Sequence, residues 1–116
     1  MSDKELLELA AKAAGVGVEW RESVRCFCYA DSPYNVAWNP LNDDGDALRL
    51  AASLNLCVCF TLAEANPTFG TAMVGYSPWE NKAPIATERY SEPSEKLAAT
   101  RRAIVRSAAE IGKAMP

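Results

Sequence analysis

The ten residues Trp38-Asn39-Pro40-Leu41-Asn42-Asp43-Asp44-Gly45-Asp46-Ala47 constrain this chain more than any other stretch. An aromatic residue, turn formers and three acids stand directly before the apolar positions Ala47, Leu48, Leu50, Ala51 and Leu54. Clusters of Asn, Pro, Asp and Gly mark a turn. Asp43 or Asp44 can cap the helix that follows, and acids in its first turn complement the positive end of the helix dipole. A helix therefore begins near residue 44, and Asn55 closes it.

The other elements are arranged around that helix. Ser2 and Glu5 have the spacing of a capping box, and Leu6, Leu7, Leu9, Ala10, Ala13 and Ala14 follow at helical periodicity, with Gly15 suited to a left-handed ending. Residues 18–30 alternate, Val24, Cys26 and Cys28 on one face and Arg25, Phe27 and Tyr29 on the other, which predicts a strand. Asp31-Ser32-Pro33 is a turn, and residues 34–38 are expected to pair back as a hairpin. Residues 56–62 are apolar on both faces, as in a central strand covered by helices on both sides. Residues 63–69, with Asn66-Pro67, are expected to form a loop. Residues 71–76 and 85–90 predict two further strands, joined by a connection holding Pro78, Trp79, Asn81 and Pro84. Ser94 is the expected cap of a long last helix that ends near Gly112, with Leu97, Ala98, Ile104, Val105, Ala108 and Ile111 as its apolar stripe. The expected fold is α+β: one domain over residues 1–116, an α/β/α sandwich with a mainly antiparallel central sheet of about four to five strands.

At 116 residues the chain has the usual size of one domain. A balance of 12 Lys and Arg against 15 Asp and Glu, net −3, argues against non-specific nucleic-acid binding, which depends on a cationic surplus. The charged start Met1-Ser2-Asp3-Lys4-Glu5 leads into an amphipathic stretch, so neither a secretory signal nor a membrane span is expected. An intracellular protein with reduced cysteines follows. Histidine is absent, which removes the commonest general base and the commonest neutral metal ligand. Gly70-Thr71-Ala72-Met73-Val74-Gly75 lacks the lysine and spacing of a phosphate loop. No catalytic residues, cofactor or metal are therefore expected.

Four residue groups have the chemistry for a site. Cys26 with Cys28 and Cys57 with Cys59 are two Cys-x-Cys pairs, but flat strands turn both sulfurs of a pair poorly toward one ion, so core packing is the expectation. Asn42, Asp43, Asp44 and Asp46 lack the register of a calcium loop, and helix capping accounts for them better. Arg49, Arg101 and Arg102, with Arg106, could present guanidinium groups to an anion. Trp38 with Asn39, and Trp79, could stack on a ligand or dock a partner, with anchoring in the core as the plainer role for Trp38.

Three segments carry a family resemblance: Leu6-Leu7-Glu8-Leu9-Ala10-Ala11-Lys12-Ala13-Ala14-Gly15; Trp38-Asn39-Pro40-Leu41 with Asp43-Asp44-Gly45-Asp46-Ala47-Leu48-Arg49-Leu50-Ala51; and Ala99-Thr100-Arg101-Arg102-Ala103-Ile104-Val105-Arg106. Together they resemble small phage and prophage proteins of the phage ABA sandwich type. The resemblance covers about half the chain and leaves residues 57–92 without a family signature. It implies a helix-flanked sheet and a place in the bacterial host cytoplasm. It transfers no catalytic residue. The expected function is a non-enzymatic accessory protein that binds a host protein or sequesters a nucleotide-like signal in host-defence inhibition, through Trp38, Asn39, Arg49, Trp79, Arg101 and Arg102, with homo-oligomer formation left open. The alternatives are a divalent-cation-dependent hydrolase using Asp43, Asp44 and Asp46, and a structural or assembly protein.

Overall fold

The computed structural model describes residues 1–63, 66–76 and 83–116, and their side chains except at 62, 63 and 66–69. The chain is α+β, broadly an α/β sandwich, with three helices and five antiparallel strands among the described residues. In order these are α1 (Asp3–Ala14), β1 (Val18–Arg21), β2 (Cys26–Tyr29), α2 (Asp44–Ser53), β3 (Leu56–Ala63), β4 (Asn66–Tyr76), β5 (Ala86–Tyr90) and α3 (Lys96–Ala114). Trp79 and its neighbours Pro78 and Asn81 lie outside the described residues.

α1 starts and stops as its sequence dictates. The Ser2 hydroxyl accepts from the Glu5 amide at 3.2 Å, and Gly15 takes φ +68°. Leu6, Leu7, Ala10 and Ala11 are buried, and the helix packs along α3. The two helices approach so closely that a side chain on Gly112 would strike the Leu9 carbonyl, so the crossing requires glycine.

The expected single strand over residues 18–30 is two strands. β1 and β2 form a hairpin with Val18 opposite Tyr29 and Arg21 opposite Cys26, turning at residues 22–25 with Arg25 at φ +51°. Pairing puts Val18 and Trp20 on one face with Tyr29 and Phe27, so the alternation shifts by one across the turn, and Glu22-Ser23-Val24-Arg25 contains no glycine or proline to mark it. Residues 34–38 make one bridge, Cys28 with Ala37, rather than a full strand. Arg21 explains this: its guanidinium donates to the carbonyls of Tyr29, Ser32 and Tyr34, winding the loop around one cation.

The second sheet has the order β3-β4-β5. β3 is therefore an edge strand, not the central one that its apolar run predicts. Val58, Ala72, Val74 and Ala86 face α3 and α2 as part of one core, whereas Cys57, Cys59 and Met73 on the other face are half-buried. The expected loop over residues 63–69 is also corrected, because the backbone is already paired in β4 from Asn66, with a register shift between Leu62 and Ala63. Proline is tolerated at a strand start or beside a bulge, so Asn66-Pro67 opens the strand.

Ser94 does not cap α3. A 3₁₀ turn, Pro93–Glu95, precedes the helix, Glu95 stands at the cap without a side-chain hydrogen bond, and Ser94 donates to Glu92 at 3.4 Å. α3 continues past Gly112 to Ala114. Ala103, Ile104, Val105, Ala108 and Ala109 are buried along it, while Leu97 and Ala98, expected in the apolar stripe, are exposed, Leu97 on an open groove beside α2 and Ala98 on a polar cleft beside β5.

Candidate functional site

The polar turn before α2 is built from mutually satisfied groups. Asp43 caps the helix, its Oδ2 accepting from the Asp46 amide at 2.8 Å. Asp46 is buried; its Oδ2 accepts from the Asn39 amide at 2.9 Å and its Oδ1 from Arg49 at 2.6 Å. Asn39 in turn accepts from the Leu41 amide at 3.2 Å. Asp44 accepts from Arg101 at 2.7 Å. The three acids thus face three different tasks, and no three Cys, Asp or Glu side chains among the described residues converge to hold a metal ion.

The arginines are engaged as fully as the acids. Arg49 is exposed, and the hydrogen bond it donates to Asp46 is the main cause of a pKa pushed above the usual guanidinium value. Arg101 is largely covered and also donates its Nε to the Leu41 carbonyl at 2.8 Å, pinning the turn to α3. Arg102 pairs with Asp3 at 3.0 Å, and Arg106 with Glu88 at 2.6 Å, so α3 is tied to α1 and to β5. Trp38 is 3% exposed within the core, its backbone amide donating to the Phe27 carbonyl at 2.9 Å.

The predicted residues Arg101 and Arg102 come together on the wall of a polar cleft of about 490 Å³. Asp3, Glu88, Arg89 and Glu95 line the same cleft, so three carboxylates face three guanidinium groups. An anion entering there must compete with carboxylates already in place. Trp38, Asn39 and Arg49 do not line this cleft.

On the other side of Arg101 lies an apolar groove of about 300 Å³ between α2 and α3. Ala47 and Ala51 of α2, Val58 of β3 and Ile104 of α3 form its walls and floor, and Leu48 and Leu97 stand on its rim, 70% and 60% exposed. No known protein family, curated protein or solved structure matches this chain.

Leu48 and Leu97 are the site residues that sequence reasoning missed. A signal existed for Leu48: Ala47, Leu50, Ala51 and Leu54 follow the i, i+3, i+4, i+7 stripe of a buried face, and residue 48 falls outside it. Leu97 gave no such signal, since it is in phase with the buried stripe of α3.

The cysteines divide between the two sheets, so the two pairs do not form one cluster. The Cys26 and Cys28 sulfurs lie 3.9 Å apart. Burial, followed by the hydrogen bond and the charge of Cys28, pushes the Cys26 thiol up, which keeps it protonated and a poor nucleophile.

Proposed function

We propose that this chain is a non-enzymatic binding protein that engages a protein partner through the α2–α3 groove. One observation carries the reading: two leucines stand largely exposed on the rim of an apolar groove, while the acids and arginines around it are already paired with each other. Soluble proteins rarely expose contiguous apolar surface without using it for contact. Catalysis would need a group left to act, and the polar turn that looks richest in chemistry is engaged in capping a helix and anchoring α3. The resemblance to small phage accessory proteins supports a bacterial host protein as the partner, bound in the host cytoplasm.

Leu48→Asp and Leu97→Asp test this. Both side chains are exposed, so each variant should fold as the wild type, while recovery of the cross-linked partner from a bacterial lysate should fall by about tenfold or more, the usual consequence of losing an interface anchor. Equal recovery by wild type and both variants would sink the groove assignment.

A nucleotide-like ligand in the polar cleft is the second reading, favoured by Arg89 of β5 and Arg101 and Arg102 of α3 among its lining. It requires Arg102→Ala to lower affinity for that ligand at least tenfold while the fold stays intact.

A further inference from the structure

The two edges of the three-stranded sheet are unlike. β5 carries Glu88 and Arg89, and its Thr87 carbonyl already accepts from Arg106 at 3.0 Å. β3, Leu-Cys-Val-Cys-Phe-Thr-Leu-Ala, has eight residues with no charge and no proline, and its one irregularity is confined to the last pair. Edge strands are ordinarily protected by charges, proline, bulges or a covering element, because their open N–H and C=O groups are a template for another strand. Among the described residues no strand pairs with the outer side of β3. Phe60 on this strand is 42% exposed, with the Lys96 ammonium 4.5 Å above its ring.

We infer that β3 pairs with β3 of a second copy of this chain, joining two three-stranded sheets into one antiparallel sheet of six strands. An open edge selects an extended strand as occupant, since only a strand satisfies a whole row of backbone groups. The strand that suits this edge is its own copy. A two-fold axis normal to the sheet at Cys59 sets Cys59 against its counterpart and Val58 against Phe60 of the second copy, on the face that carries the helices. The second pair joins a β-branched and an aromatic residue, a favourable cross-strand combination. The strand's own side chains carry no charge, so they bring no like charges together across the axis, as an isologous interface demands. Both helix layers fall on the same side of the joined sheet. The dimer goes beyond the groove assignment and needs no partner in the groove, although Val58 belongs to both surfaces.

The experiment is sedimentation equilibrium of the full chain, compared with Cys59→Lys and with Thr87→Lys on the opposite edge. Wild type and Thr87→Lys should be dimers, while Cys59→Lys should dissociate at least tenfold more readily, because it sets two ammonium groups against each other at the axis. A monomeric wild type, or Cys59→Lys that dimerises as well as wild type, overturns the proposal. If Cys59→Lys does not fold, a chain in which Cys26, Cys28 and Cys57 are replaced by Ser decides: a short bismaleimide should link its copies through Cys59, and absence of the linked species overturns the proposal. Leu48→Asp should remain dimeric, so loss of the partner and loss of the dimer are separate results. An unrelated extended peptide on the edge would show as a monomeric wild type whose peptide complex is lost in Cys59→Lys, and this too overturns self-pairing.

Discussion

The turn into α2 and the strand that follows that helix are close neighbours in sequence and opposites in character. Residues 38–49 hold three acids, an arginine and a tryptophan, yet their polar groups face inward or toward each other: Asp43 to the Asp46 amide, Asp46 to Asn39 and Arg49, Asp44 to Arg101. β3 contains no charged residue, and the outer side of its backbone pairs with no described strand. Chemical richness in a sequence is therefore a poor guide to where a chain meets its surroundings. Carboxylates and guanidinium groups that satisfy one another within a fold have little left to offer, whereas a plain apolar run at an edge leaves its backbone donors and acceptors open.

Three substitutions probe the inward half of that comparison. Trp38→Ala should have the largest effect, since it empties a nearly fully buried indole site and costs about 3–5 kcal/mol of unfolding free energy in chemical denaturation. A loss under about 1 kcal/mol would mean that the turn is not anchored through the core. Asp46→Ala leaves the Asn39 amide without its acceptor inside a covered turn, and a decrease of about 1–3 kcal/mol is expected from the urea midpoint. An unchanged midpoint would show that solvent replaces the carboxylate and that the network is incidental. Asp43→Ala removes the helix cap and an exposed 3.8 Å ion pair with Arg49 that adds little, and should cost about 1 kcal/mol. Leu48→Asp, on the same helix, sharpens the contrast: its stability should stay within about 0.5 kcal/mol of wild type while partner recovery falls.

The helices were the most legible part of the fold. Ser2, Gly15 and Asp43 act within three or four residues of themselves, so their roles can be read from spacing alone. The strands were less so. The turn at residues 22–25 shifts the alternation by one, so that Val18 and Trp20 share a face with Tyr29 and Phe27, and no Gly, Pro, Asn or Asp in Glu22-Ser23-Val24-Arg25 marks the break. An apolar run such as residues 56–62 suits a buried central strand and an open edge equally well, because the pattern records only that both faces avoid charge. Ser94 has the chemistry of a cap, but the 3₁₀ turn places the start of α3 beyond it.

The candidate site was half legible. Arg101 and Arg102 were identifiable as guanidinium groups on one helix, but their partners Asp44 and Asp3 lie 57 and 99 residues away, and no spacing rule connects them. Without those partners the arginines read as an anion patch; with them they are ties between α3 and the rest of the chain.

By itself the sequence determined where α1 and α2 begin, which of their faces is apolar, and that acids gather at the entrance of α2, because caps, dipoles and helical periodicity act over a few residues. Only the tertiary structure decided which arginine meets which acid, that β4 rather than β3 lies in the middle of the sheet, and that Leu48 and Leu97 frame an open groove. Those outcomes depend on contacts between distant segments, and it is the packing of whole elements that leaves a given side chain covered or exposed.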